Sequence, residues 1–155
     1  MSSSASVLVV ANRTADSPEL IAALRRRASR SAAHFTLLVP AVPRGLAWAT
    51  DMKAGEPEAF PRAETGARRM RMAVLDLRET IVGDPDPLAA IGDALRAHEF
   101  DEVIVSTLPR GISRWLRLSL PHRLGRMTEL PVHHVVAHPR PAQAPRFREP
   151  ARVRT

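Results

Sequence analysis

Short, largely apolar runs recur along this chain, and a segment with helical spacing separates each from the next. Val7-Leu-Val-Val10 and Phe35-Thr-Leu-Leu-Val39 are apolar at nearly every position rather than at alternate ones. Asp101-Glu-Val-Ile-Val-Ser106 is equally apolar at its centre, and Leu130-Pro-Val-His-His-Val-Val136 ends the series. A strand that is apolar on both sides has to be covered on both faces. Strands of that kind, alternating with helices, form a parallel sheet through right-handed crossovers.

The intervening segments carry helix signals. Ser17-Pro18-Glu19 supplies an N-cap, a first-turn proline and a first-turn acid, and Leu20, Ile21, Leu24 and Ala28 follow at helical spacing. Arg25, Arg26, Arg27 and Arg30 read as the solvated basic end of that helix. Residues 40–61, with four prolines, two glycines and Trp48, read as a long irregular connection. Ala63, Ala67, Met70, Val74 and Leu77 then predict an amphipathic helix from about Arg62. A third strand is expected over Glu79 to Val82. Asp86 caps and Pro87 opens the next helix, whose stripe is Leu88, Ile91 and Leu95. Residues 107–118 form a turn and a basic amphipathic stretch, and a last helix over 119–128 places Leu120, Leu124 and Met127 on one face. The expected fold is α/β: an open doubly wound five-stranded parallel sheet, order 3-2-1-4-5, Rossmann-like, with helices on both faces. Residues 1–138 make that domain; Pro/Arg-rich residues 139–155 read as a disordered tail.

Composition narrows the chemistry. The 155 residues contain no cysteine, which excludes disulfides, cysteine-based zinc sites and thiol catalysis. No apolar run is long enough to span a bilayer and no signal sequence opens the chain, so a cytoplasmic protein without a membrane partner is expected. The formal charge is +7, and Lys53 is the single lysine among 23 basic residues. Arg140, Arg146, Arg148, Arg152 and Arg154 against Glu149 concentrate +4 of it in the tail. That pattern reflects arginine-biased composition, and a nucleic-acid partner is not expected. No two glycines lie closer than nine positions, so there is no dinucleotide fingerprint, and Lys53 is followed by Ala54, so there is no P-loop. His133 and His134, adjacent on a strand, point to opposite faces and cannot share a metal. No metal site or catalytic group is expected.

In a doubly wound sheet, ligands bind beyond the carboxyl ends of the strands where the strand order reverses, here between the first and fourth. The loops leaving them offer Asn12, Arg13 and Thr14, and Ser106, Thr107 and Arg110, with Ser113 and Arg114 following. Amide, hydroxyl and guanidinium groups beside a helix N-terminus suit a phosphate or another small anion. Asp84 and Asp86 lie farther along the same edge. Trp115 reads either as a core anchor or as a stacking platform between Arg114 and Leu116; Phe147 between Arg146 and Arg148 could stack similarly.

The layout of residues 6–137 resembles the universal stress protein domain. The resemblance rests on Val7-Leu-Val-Val-Ala-Asn-Arg-Thr14, Gly83-Asp-Pro85, Asp101-Glu-Val-Ile-Val-Ser106 and Leu130-Pro-Val132. The stretches Phe100 to Pro109 and Ser113 to Pro121 resemble a divergent actinobacterial branch of unassigned biochemistry. The resemblance implies ATP or another nucleotide as ligand, with Asn12 where the family has an aspartate. It also implies a homodimer through the last strand, where Val132, Val135 and Val136 offer an apolar edge. ATP-binding members carry Gly-x2-Gly-x9-Gly-Ser/Thr after the fourth strand; here the glycine positions read Ser106, Pro109 and Ser119. Proline has no amide to donate, so the phosphate cradle is not expected, and Thr107, Arg110, Ser113 and Arg114 would have to hold a nucleotide instead. The expectation is a non-catalytic, universal-stress-type sensing protein with weakened or lost ATP binding. The alternatives are an interaction module acting through a dimer surface and the basic tail, and a small nucleotide hydrolase.

Overall fold

The structure is a computed structural model that describes residues 3–41 and 56–138. The tail beyond residue 138, with Phe147, and Trp48 in the long connection lie outside the described residues. Five strands, β1 (Ala5–Val10), β2 (Ala33–Pro40), β3 (Leu77–Gly83), β4 (Glu102–Thr107) and β5 (Val132–Val136), form one sheet in the order β3-β2-β1-β4-β5. Every pairing is parallel, with Val10 level with Leu38 on one side and Val105 on the other. This is the expected doubly wound order.

The continuous apolar runs are explained by burial on both faces. Val7, Val9, Leu37 and Ile104 pack under α1 (Pro18–Arg30) and α2 (Glu56–Met72). Leu8, Val10, Val103 and Val105 pack under α3 (Pro87–Ala97) and α5 (Leu120–Met127). All six residues of β4 are buried, whereas β3 and β5, at the sheet edges, are only partly covered. Val132 and Val135 therefore pack on opposite cores, and Val136 is the exposed one of the three valines expected at that edge.

Two helices differ from their sequence patterns. Helix α2 begins at Glu56 and contains Pro61, a residue that removes one backbone bond from a helix interior. Ala59, Ala63, Ala67 and Met70 are buried along it, and small side chains let it lie close: a Cβ on Gly66 would stand 3.0 Å from both the Cβ and the carbonyl oxygen of Ala15. The helix ends before Val74 and Leu77, which its apolar spacing had included. Leu75 N–H donates to Met70 O at 3.1 Å and Val74 N–H to Arg71 O at 3.0 Å, the paired bonds of a Schellman ending. Val74 takes the left-handed position with φ 60° and is 90% exposed, while Leu75 turns back into the core and Leu77 opens β3. In α3, Ala90, Ile91 and Ala94 are buried, and Leu88 and Leu95 pack at the edge of the same core. Met127 is exposed at the end of α5, although it continues the spacing of Leu120 and Leu124.

The arginines of α1 also divide. Arg27 is not part of a solvated end: its Nε donates to Glu102 Oε1, and both side chains are about nine-tenths buried. His133 Nε2 approaches the other carboxylate oxygen at 3.2 Å. Glu102 thus enters a buried strand because α1 and β5 bring it partners.

Candidate functional site

Because β1 and β4 are neighbours while α1 and α5 leave to opposite faces, a crevice opens beyond their carboxyl ends. A cavity of about 600 Å³ occupies it, lined by the loops after β1 and β4, the start of α3, and α4 (Arg114–Arg117) with α5. That volume suits a drug- or nucleotide-sized ligand.

The floor is a set of fixed polar groups. Asn12 Nδ2 donates to Pro40 O at 3.0 Å, and its Oδ1 accepts from Arg62 Nη1 at 2.6 Å. Ser106 Oγ donates to Thr14 Oγ1 at 2.7 Å, and both side chains are buried. Thr107 Oγ1 donates to Leu108 O at 2.9 Å and stands 2.7 Å from His134 Nε2; both contacts are satisfied when the ring carries its proton on Nε2. Burial holds His134 below its ordinary pKa, which favours that neutral ring. Ser113 Oγ accepts from Leu116 N–H at 3.2 Å and caps α4.

Two amides of the loop after β4 are used within the loop itself. Ile112 and Ser113 N–H both donate to Pro109 O, at 3.2 and 3.0 Å. Gly111 supplies the turn with φ 101°, and Ser119, at the last of the three substituted glycine positions, keeps a left-handed φ of 54° between α4 and α5. Those two amides are committed and Pro109 has none to donate, which leaves the side chains around the cavity as its main polar groups.

Those side chains are cationic. Among the described residues, Arg13, Arg62, Arg114, Arg117 and Arg123 line the cavity with one carboxylate, Asp86. Asp86 accepts from Leu88 N–H at 3.0 Å as the cap of α3. Arg13, Arg114, Arg117 and Arg123 make no ion pair among the described residues. The remaining wall is apolar, with Ile112, Leu118 and Trp115. Trp115 joins its two readings: it is partly buried against the core under α5 and also faces the cavity.

Of the eight residues expected from sequence, Asn12, Arg13, Thr14, Ser106, Thr107, Ser113 and Arg114 meet in this cavity; Arg110 is exposed and does not line it. Ser106 and Thr107 donate their hydroxyl protons within the protein, and the hydroxyl oxygens of Thr14 and Ser113 accept there. Arg62, Arg117 and Arg123 were missed. Arg117 follows Arg114 at helical spacing, a signal the sequence did hold; Arg62 and Arg123 come from helices whose approach only the fold reveals. Among the described residues, no group of three His, Asp or Glu side chains could hold a metal ion.

No protein-family model matches the chain, and no curated protein does. Solved structures do match. A universal stress protein from Archaeoglobus fulgidus is 13% identical over 84% of this chain and 93% of that chain, with a TM-score of 0.58. A universal stress protein solved in complex with cAMP is 20% identical over 86% of this chain and 98% of that one, with a TM-score of 0.50. At these identities the likeness is one of fold.

Proposed function

We propose that this chain, which has the fold of the universal stress proteins, binds a nucleotide or a similar phosphorylated anion in the β1/β4 crevice and does not turn it over. One observation carries the reading: a cavity at the switch point sets five guanidinium groups and, among the described residues, one carboxylate beside an apolar wall that includes Trp115. Guanidinium forks bind phosphate oxygens in pairs, and an aromatic face beside them suits a base. The neighbour solved with cAMP is consistent with that ligand class. Anchoring by side chains, in place of a glycine cradle, is what distinguishes this site from the one its fold resemblance implies. Dimerisation through the open edge of β5 belongs to the same reading, and the cytoplasm is the compartment expected for it.

A thermal-shift series with adenine and guanine nucleotides, cAMP, phosphate and sulfate tests the reading. A nucleotide raises the melting temperature through its binding free energy. Arg114→Ala and Arg123→Ala should each weaken binding by roughly 10- to 100-fold, the value of one or two charge-assisted bonds. Arg110→Ala should leave it unchanged. A folded protein that no nucleotide stabilises would refute the reading.

A further inference from the structure

We infer that the β3 edge of the sheet, together with α2, is a self-association surface at which two copies of this chain meet about a two-fold axis. β3 ends the sheet, and among the described residues no strand covers its outer edge. Open edges of this kind invite pairing with another chain. A groove of about 820 Å³ lies between α2 and that strand. Phe60, Ala63, Ala67 and Met72 from α2 and Val82 from β3 give it apolar walls, with Phe60 57% and Met72 73% exposed. Thr80 lines it too, and its hydroxyl oxygen is buried with no hydrogen-bond partner among the described residues.

The charges along the groove identify the occupant. Phe60, Glu64, Ala67 and Arg71 follow one another at helical spacing, so an acid and a base stand about two turns apart on one row of α2. Glu64, Arg68 and Arg71 are exposed and make no ion pair among the described residues. A two-fold axis makes every contact between two positions occur twice, once in each direction. Two α2 helices running antiparallel about a point between Ala67 and Arg68 therefore set Glu64 of each copy opposite Arg71 of the other. The same operation lays Met72 of one copy over Ala63 of the other, beside Phe60, so apolar side chains enter both grooves. A purely anionic partner would meet Arg68 and Arg71 but would be opposed by Glu64; a second copy satisfies both signs. The surface lies at the opposite sheet edge from β5, so it is independent of dimerisation there and of ligand binding in the β1/β4 crevice.

The chain has no cysteine, so Arg68→Cys in the full chain supplies a single thiol beside the expected axis. A short bismaleimide should convert this variant to a covalent dimer in a yield that rises with protein concentration. Adding Glu64→Arg should weaken dimerisation roughly tenfold, because symmetry turns two attractions into two repulsions. Adding Arg71→Glu to that variant should restore the yield. Val136→Arg, at the exposed edge of β5, should leave it unchanged. Sedimentation velocity on the cysteine-free Glu64→Arg and Glu64→Arg/Arg71→Glu chains should give the same order without a cross-linker, and circular dichroism confirms that each is folded. Absence of the covalent dimer, a yield that Glu64→Arg does not lower, or a double reversal no better than the single one overturns the inference. So does a dimer that Val136→Arg removes and Glu64→Arg does not. Nucleotide stabilisation that persists in the Glu64→Arg chain leaves the proposed function standing whichever way the dimer falls.

Discussion

Removing one partner of the Arg27–Glu102 pair should be far more damaging than removing both. Arg27→Met keeps most of the aliphatic stem but leaves the Glu102 carboxylate, 10% exposed, with His133 as its remaining partner at 3.2 Å. Breaking a buried pair costs about 3–5 kcal/mol; with His133 still in reach, the lower end, about 3 kcal/mol, applies. Glu102→Leu strands a guanidinium that retains contacts with Ser31 O at 3.3 Å and Oγ at 3.0 Å, so its cost should be about 2 kcal/mol. The double replacement restores an apolar contact and should lie within about 1 kcal/mol of the parent. For a domain of this size, Arg27→Met lowers the melting temperature by roughly 6–12 °C. Urea denaturation of all four proteins closes the cycle, with shifted midpoints and an unchanged slope. A loss below about 1 kcal/mol for Arg27→Met, or additive losses in the double variant, would refute the claim that the two charges depend on each other.

Three other substitutions and one titration probe the remaining claims. Val74→Gly removes a β-branched residue from a left-handed position while surrendering almost no buried surface, and should stabilise by about 1 kcal/mol in urea. Gly83→Ala places a Cβ 2.8 Å from Ala90 Cβ and 3.0 Å from Leu38 Cδ1, so α3 must shift; a loss of about 1–3 kcal/mol is expected. His134 is held below 6.5 by burial, so as pH falls below 6.5 the unfolded chain takes up a proton that the folded chain refuses. Stability should fall through that window until the folded value is reached, and His134→Gln should flatten this part of the pH–stability curve. Glu19 is held below 4.5 by its own amide and by that of His138, so its contribution is present above 4.5 and disappears as pH falls through the lower folded value.

The strands were legible because a stretch such as Val7 to Val10 admits few alternatives to burial on two faces, and the caps at Ser17 and Asp86 fixed where helices begin. The end of α2 was not legible. Val74 continues an apolar period, and only the paired bonds to Arg71 and Met70 show the chain reversing there. Pro61 likewise suggested a connection, yet buried alanines on both sides of it keep the segment helical. Arg27 looks identical in sequence to Arg25, Arg26 and Arg30; what separates it is Glu102, 75 residues away. The site shows the same division. The loops after β1 and β4 could be found from strand order, but Arg62 and Arg123 reach the crevice through helix packing. Arg110 belongs to the right loop but is exposed beside the turn at Gly111 and does not line the cavity.

An amide NMR titration with ATP shows at residue level whether the arginine-lined crevice between β1 and β4 is the ligand site. The largest shifts are expected at Arg13, Ile112 and the Trp115 indole N–H, saturating together and lost in Arg114→Ala/Arg123→Ala. Saturating shifts centred instead on a second groove, around Phe60 and Met72, or a folded protein whose spectrum does not change, would contradict that assignment.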